Sequence, residues 1–137
     1  MEVIHQSTIF INKEWDIIIA RQQGRRLAYQ IGFSIVEQAR ITTVISELAR
    51  NIYLYTPGGE LSLYRVIRHD QTKGLQIKAI DQGPGIDDLQ LVLQDGFSTT
   101  GSLGSGLPGV KRMVDEFDIR SKKNHGTVIH VCKWLEQ

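Results

Sequence analysis

The 137-residue chain contains a single cysteine, Cys132, so no disulfide can form within it. Such sparing use of cysteine fits a reducing compartment. Cys132 sits in an apolar run near the C-terminus and reads as a buried core thiol rather than a reactive one. No segment approaches the ~20 apolar residues that a membrane helix needs. The first residues lack a basic stretch followed by an apolar one, so no secretory leader is expected. The cytoplasm is the default expectation, with no membrane partner. A net charge of +1 implies no broad pull toward nucleic acid. His5, His69, His125 and His130 are scattered and have no metal-ligand spacing. Finally, no lysine or arginine occurs between Gly85 and Lys111.

What is present reads as one domain over residues 1–137, long enough to bury a core without staples. Residues 3–11 predict a strand, with Ile9 and Ile11 on one face and Phe10 on the other. From Glu14 to Ile31 the apolar residues Trp15, Ile18, Ile19, Leu27, Ala28 and Ile31 predict a helix, with Gly24 a blemish. Gly32 is its stop signal. Ser34 with Glu37 reads as a capping box for a second helix that ends near Tyr55, before Pro57-Gly58-Gly59. Two strands follow, closing near His69 and Asp81. After a glycine-rich stretch, a third helix is expected with Pro108 in its first turn and Val110, Met113, Val114 and Phe117 buried. Strands at about 118–121 and 127–134 complete the chain. The element order implies an α/β two-layer sandwich of the α+β kind, with helices on one face of a mixed, largely antiparallel sheet.

Four features carry chemistry. Glu47 and Asn51 lie four residues apart on the second helix and share a face. The amide oxygen of Asn51 could ligate a hard cation such as Mg²⁺, and Glu47 could deprotonate an attacking hydroxyl. Taken alone, a solvated Glu–Asn face explains the pair as well. Asp81, at a strand end, could accept a hydrogen bond from an exocyclic amine such as that of adenine. Gly83 and Gly85 let the backbone turn and leave room for a flat ring; a plain Asp-x-Gly turn is the alternative. Gly101 to Gly109, with Gly104, Ser105 and Gly106, forms a glycine-rich lead into a helix N-terminus, an anion-binding arrangement. It is neither a Walker loop nor a dinucleotide fingerprint, and a plain surface loop could look the same. Gly126-Thr127 opens the last strand and is weak by itself.

In order and spacing, Glu47…Asn51, Asp81-x-Gly83-x-Gly85, Gly104-x-Gly106 and Gly126-Thr127 resemble the boxes of the ATPase superfamily shared by gyrase, heat-shock chaperones, sensor histidine kinases and mismatch-repair proteins. The likeness covers nearly the whole chain. A narrower resemblance, to the RsbT-type switch kinases of the bacterial stressosome, rests on three segments. They are Ala39-Arg-Ile-Thr-Thr-Val-Ile-Ser-Glu-Leu-Ala-Arg-Asn-Ile52, Asp95-Gly-Phe-Ser-Thr-Thr100 and Gly104-Ser-Gly-Leu-Pro-Gly-Val-Lys-Arg112.

The resemblance implies a histidine-kinase-like ATPase fold that uses ATP and Mg²⁺. It places Asp81 at the adenine amine with Thr127 in support, Asn51 on Mg²⁺, and Glu47 as general base. Backbone N–H groups of Gly104, Ser105 and Gly106 would meet phosphate. Residues 86–103 would form a lid whose Ser98, Thr99 and Thr100 could touch phosphate oxygens. It further implies phosphoryl transfer to a serine or threonine of a STAS-domain partner, after which the freed kinase activates a downstream phosphatase. Because the expected lid has no cation, Arg50, Lys111, Arg112 or a partner residue would have to supply charge at the γ-phosphate. Two rivals stand beside this reading: an anti-sigma-factor kinase, and a non-catalytic module in which nucleotide only shapes a protein-binding surface. A sensor histidine kinase is disfavoured, because the chain has no room for a phosphoacceptor helix pair.

Overall fold

A computed structural model describes residues 1–85 and 106–136. The elements are β1 (Glu2–Ile11), α1 (Glu14–Ile31), α2 (Ile35–Tyr55), β2 (Gly59–Ile67), β3 (Lys73–Asp81), α3 (Gly106–Met113), β4 (Glu116–Ser121) and β5 (Thr127–Trp134). The strands form one sheet in the order β1-β2-β3-β5-β4, and all four pairings are antiparallel. The expected two-layer sandwich is the one that forms. No described helix is long and apolar enough to cross a membrane.

Alternation builds the core. Ile9 and Ile11 are buried on one face of β1 while Phe10 is 64% exposed on the other. Leu61, Leu63, Ile77, Ala79, Ile129 and Val131 join them against Ile41, Val44, Ile45, Leu48 and Ile52 of α2. Gly24 of α1 is no blemish: a Cβ there would lie 2.0 Å from Ile45 Cδ1, so its absence lets α1 and α2 approach closely. Two of the apolar residues that give α1 its helical spacing face outward. Trp15 is 66% exposed and Ile18 38%, and Ile17 and Ala20 take the inward positions. The third helix is shorter than expected. It ends at Met113, and Phe117 reaches the core from β4 rather than from the helix.

Caps set the helix ends. Asp16 accepts the Asn12 and Lys13 N–H groups at 3.0 and 2.9 Å, closing the start of α1. Gly32, at φ 115°, ends it in the left-handed region. Ser34 Oγ accepts from Glu37 N at 3.2 Å, but Glu37 does not complete the expected reciprocal box. Its carboxylate turns to Arg40 at 2.7 Å and to Lys133 of β5 at 2.9 Å, tying the start of α2 to the sheet. Lys133 is the main reason the Glu37 pKa is lowered. Stability from this pair is therefore full above the ordinary carboxylate pKa and lost as pH falls through the lowered one. Lys133→Met should cost about 1 kcal/mol at neutral pH, because it removes one of the two cationic partners of a part-buried carboxylate and leaves Arg40 in place. Urea unfolding at pH 7 and at acid pH checks this, because the deficit should shrink in acid.

A small second cluster lies on the sheet face opposite the described helices, where Val66, Cys132 and Trp134 are buried beside Tyr64. The Trp134 ring lies against Gly74, where a Cβ would be 2.6 Å from it, and Arg68 stacks over the ring at 4.4 Å. Cys132 is thus buried as expected, though in this satellite rather than in the main core. Burial pushes its thiol up to about 12, which leaves it protonated and inert.

Candidate active site

Three elements converge where β3 ends. Asp81 is the register partner of both Thr127 on β5 and Gly59 on β2. The end of α2 closes over it: Thr56 Oγ1 donates to Ile52 O at 2.7 Å and accepts from Gly58 N at 3.1 Å, fixing the turn into β2. A Cβ on Gly83 would lie 2.7 Å from the Thr56 methyl, and one on Gly85 would lie 2.2 Å from the Lys122 carbonyl oxygen. Asn124 N, in the β4–β5 turn, donates to Pro84 O at 2.6 Å. The space left by these glycines is therefore filled by protein, which locks the 82–85 loop to α2 on one side and to the β4–β5 turn on the other.

Asp81 Oδ1 accepts from Gly83 N at 2.8 Å. Burial raises the Asp81 pKa, and hydrogen bonds from the backbone N–H groups of Gly83 and Thr127 oppose the rise. Thr127 is buried, and its hydroxyl lies 2.7 Å from Ser121 Oγ, which also donates to Gly126 O at 3.1 Å. Asp81 and Thr127 thus form a paired polar edge at one end of the sheet. A ligand held by the Asp81 carboxylate should bind more weakly as pH falls through that raised pKa, because protonation removes an acceptor. ATP titrations between neutral and mildly acid pH should show this weakening in the wild type and not in Asp81→Asn.

Glu47 and Asn51 project from α2 one turn apart. Glu47 is 2% exposed, while Asn51 is part-exposed. Gly106 begins α3 with φ 69°, and Leu107, Pro108 and Val110 bury that helix against the core while Lys111 and Arg112 stay exposed. Ser98, Thr99, Thr100, Gly104 and Ser105, and the expected lid over 86–103, lie outside the described residues. Thr56, Ser121 and Asn124 belong to the site's framework but carried no sequence signal of their own. Each is a small polar residue in or beside a turn, where such residues are common for local reasons.

The model of the family described as histidine kinase-, DNA gyrase B- and HSP90-like ATPase matches residues 36–137. The chain belongs to this ATPase family. It is 56% identical over 130 residues to the serine/threonine-protein kinase RsbT of Bacillus subtilis (strain 168), covering 95% of this chain and 97% of that protein. It is 25% identical over 129 residues to the anti-sigma F factor of Thermoanaerobacter sp. (strain X514), covering 92% of this chain and 90% of that one. Among solved structures, the RsbU and RsbW domains of Rv1364c from Mycobacterium tuberculosis superpose with a TM-score of 0.63 at 18% identity. That match covers 97% of this chain and 32% of the longer one, and it speaks for the fold alone. The family and the RsbT relative together make the chain an ATP-dependent protein serine/threonine kinase.

A concavity of about 420 Å³ lies between α1 and α2. Trp15, Ile18, Tyr53 and Leu54 line it, with Arg21 and Arg50 among them. Arg50 therefore opens onto the α1–α2 groove.

Proposed function

We propose that the chain is a partner-switching kinase of the general stress response. It transfers the γ-phosphoryl group of ATP to a serine or threonine of a STAS-domain partner of the stressosome. Once released, it binds and activates a downstream phosphatase. It works in the cytoplasm as a single kinase domain, without nucleic acid. The observation that carries this reading is the buried carboxylate of Glu47, one turn from the part-exposed amide of Asn51, in a chain of this ATPase family.

Asp81 and Thr127 receive the adenine amine, with Gly83 and Gly85 shaping the loop beside it. Glu47 takes the proton of the attacking hydroxyl. Gly106, with Gly104 and Ser105 before it, offers N–H groups to phosphate, and Ser98, Thr99 and Thr100 add hydroxyls. For Mg²⁺, no cluster of three or more His, Cys, Asp or Glu side chains able to cage a metal occurs among the described residues. That suits an ion which takes few ligands from protein and fills its shell with phosphate and water. Asn51 would hold it, and the ion would neutralise phosphate charge. Arg50 faces the outer groove, so Lys111, Arg112 or a partner residue is the better source of further positive charge.

The α1–α2 groove is the surface we assign to the STAS partner. Its exposed aromatic and aliphatic side chains supply apolar contact, and its arginines favour an acidic face. Phosphate introduced into a fitted interface adds charge and desolvation cost, which separates the pair. Calorimetric titration with a non-hydrolysable ATP analogue tests this. Arg50→Glu should weaken partner binding by at least about tenfold, because it sets like charges against each other on an acidic partner face. Wild type should bind the phosphorylated partner more weakly than the unmodified one. Equal affinity for both forms would remove the switch. The resemblance to an anti-sigma F factor supports a second reading, in which the partner set includes a sigma factor; tight ATP-dependent capture of a sigma factor would favour it.

A further inference from the structure

We propose that Thr56 is a positioning residue that sets the spacing between the two halves of the nucleotide site. The inference rests on reading the Asp81 edge as the half that takes the base and Asn51 as the half that takes the metal and its phosphates. Thr56 caps the C-terminal end of α2, just beyond Asn51 in the chain, and its one side chain serves both halves.

The hydroxyl serves α2. Thr56 Oγ1 lies 2.7 Å from Ile52 O and 3.2 Å from Gly58 O, and it accepts from Gly58 N at 3.1 Å. Thr56 N donates to Ile52 O at 3.2 Å. These bonds close the last turn, which starts at the residue after Asn51, and tie it to the turn into β2. The methyl serves the other half. A Cβ on Gly83 would stand 2.7 Å from Thr56 Cγ2 and 2.9 Å from Thr56 Cβ. Gly83 therefore rests directly on this side chain, and its N–H is the one that reaches Asp81 Oδ1 at 2.8 Å. Gly59 shows the same close fit, since a Cβ there would lie 2.3 Å from Ile80 O and 3.1 Å from Ile52 Cγ2. The last turn of α2 thus sits on the end of β3 with little room to slide. A nucleotide held at Asp81 and, through its metal, at Asn51 spans this contact. If the spacing drifts, each half can still be satisfied, but the two are not satisfied together. A misplacement of about 1 Å can cost on the order of 10²-fold. Thr56 itself touches neither base nor metal.

The two groups can be removed separately. Thr56→Ser keeps the hydroxyl and removes the methyl from Gly83. Thr56→Val keeps the methyl and takes the acceptor from Gly58 N. The test is calorimetric binding of ATP to the full chain without any partner, in Mg²⁺ and in excess EDTA. Affinity in EDTA reads the base half, and the ratio of the two affinities reads the metal half. Thr56→Ser should lower the affinity in EDTA by about fivefold, the scale of one buried methyl, and move the ratio by less than about twofold. Thr56→Val should lower the ratio by about fivefold, the scale of one hydrogen bond, and move the affinity in EDTA by less than about twofold. A general loss of stability would not separate the two readings in opposite variants. Asp81→Asn, which should weaken ATP in both conditions, and Asn51→Ala, which should remove the gain from Mg²⁺, are the controls. Any other pattern in the Thr56 variants with the controls as stated, such as both readings moving together or neither moving, would overturn the role of Thr56 and spare the site. Asp81→Asn binding ATP as well as wild type, or Asn51→Ala keeping the gain from Mg²⁺, would overturn the reading of the two halves and the inference with it.

Discussion

Glu47→Gln should reduce the single-turnover rate of phosphoryl transfer by about 10²–10⁴-fold, the usual contribution of a positioned general base. ATP affinity should change by no more than a few-fold. The substitution keeps the size and one acceptor oxygen while replacing the other by an N–H donor, so it removes the charge and the basicity without opening a cavity. That matters because Glu47 is 2% exposed within α2, among Val44, Ile45 and Leu48 of the core. Alanine there would also open a cavity and confuse a folding defect with a chemical one. A thermal melt close to wild type should accompany the rate loss. A nucleotide-gated binder without catalysis predicts the opposite pattern, with partner affinity and release untouched by Glu47→Gln.

Gly126→Ala should unfold the site from its other end. Gly126 has φ 80°, in the left-handed region, where a Cβ costs roughly 1–2 kcal/mol. Here the new Cβ would also stand 2.2 Å from Asp81 O, a backbone atom of the central strand β3 that cannot swing aside. The combined cost should be at least ~3 kcal/mol, lowering the melting temperature by about 10 °C. ATP affinity should fall with it, because relieving the clash pushes Thr127 away from Asp81. Gly32→Ala is the matched comparison. It shares a positive φ, of 115°, but the nearest atom to its Cβ is Leu135 Cδ2 at 3.6 Å. It should cost only the conformational part, about 1–2 kcal/mol. Paired melts of the two variants separate backbone strain from steric exclusion.

Much of this architecture is legible in the residues because the signals are local. Gly32 and the Pro57-Gly58-Gly59 turn bound α1 and α2 within the elements expected, and alternation alone places Ile9, Phe10 and Ile11 correctly. The strand from Thr127 to Trp134 has the bounds its pattern predicts. The misses share a cause, which is dependence on a distant neighbour. Trp15 and Ile18 fit the helical period, yet among the described residues no element covers that side of α1. Glu37 is spaced for a capping box, but Lys133, far along the chain, offers it a full charge. Phe117 continues a helical spacing, yet the chain has already turned into β4.

The site divides in the same way. Residue types and spacing mark Glu47, Asn51, Asp81, Gly83, Gly85 and Thr127, because charge, amide and glycine stand out against an apolar pattern. What the glycines make room for is not legible. Their Cβ positions are taken by the Thr56 methyl and the Lys122 carbonyl, and neither neighbour is adjacent in sequence. Ser121 is silent for a related reason. A serine at a strand end looks like any turn residue until the hairpin brings its oxygen to Thr127.

The most direct test of the central claim is phosphotransfer from γ-labelled ATP, with Mg²⁺, to purified STAS-domain proteins from the same genome. The account predicts label on a serine or threonine of one such protein with the wild-type chain, and none with Glu47→Gln. ATP bound normally with no label on any STAS protein would contradict it.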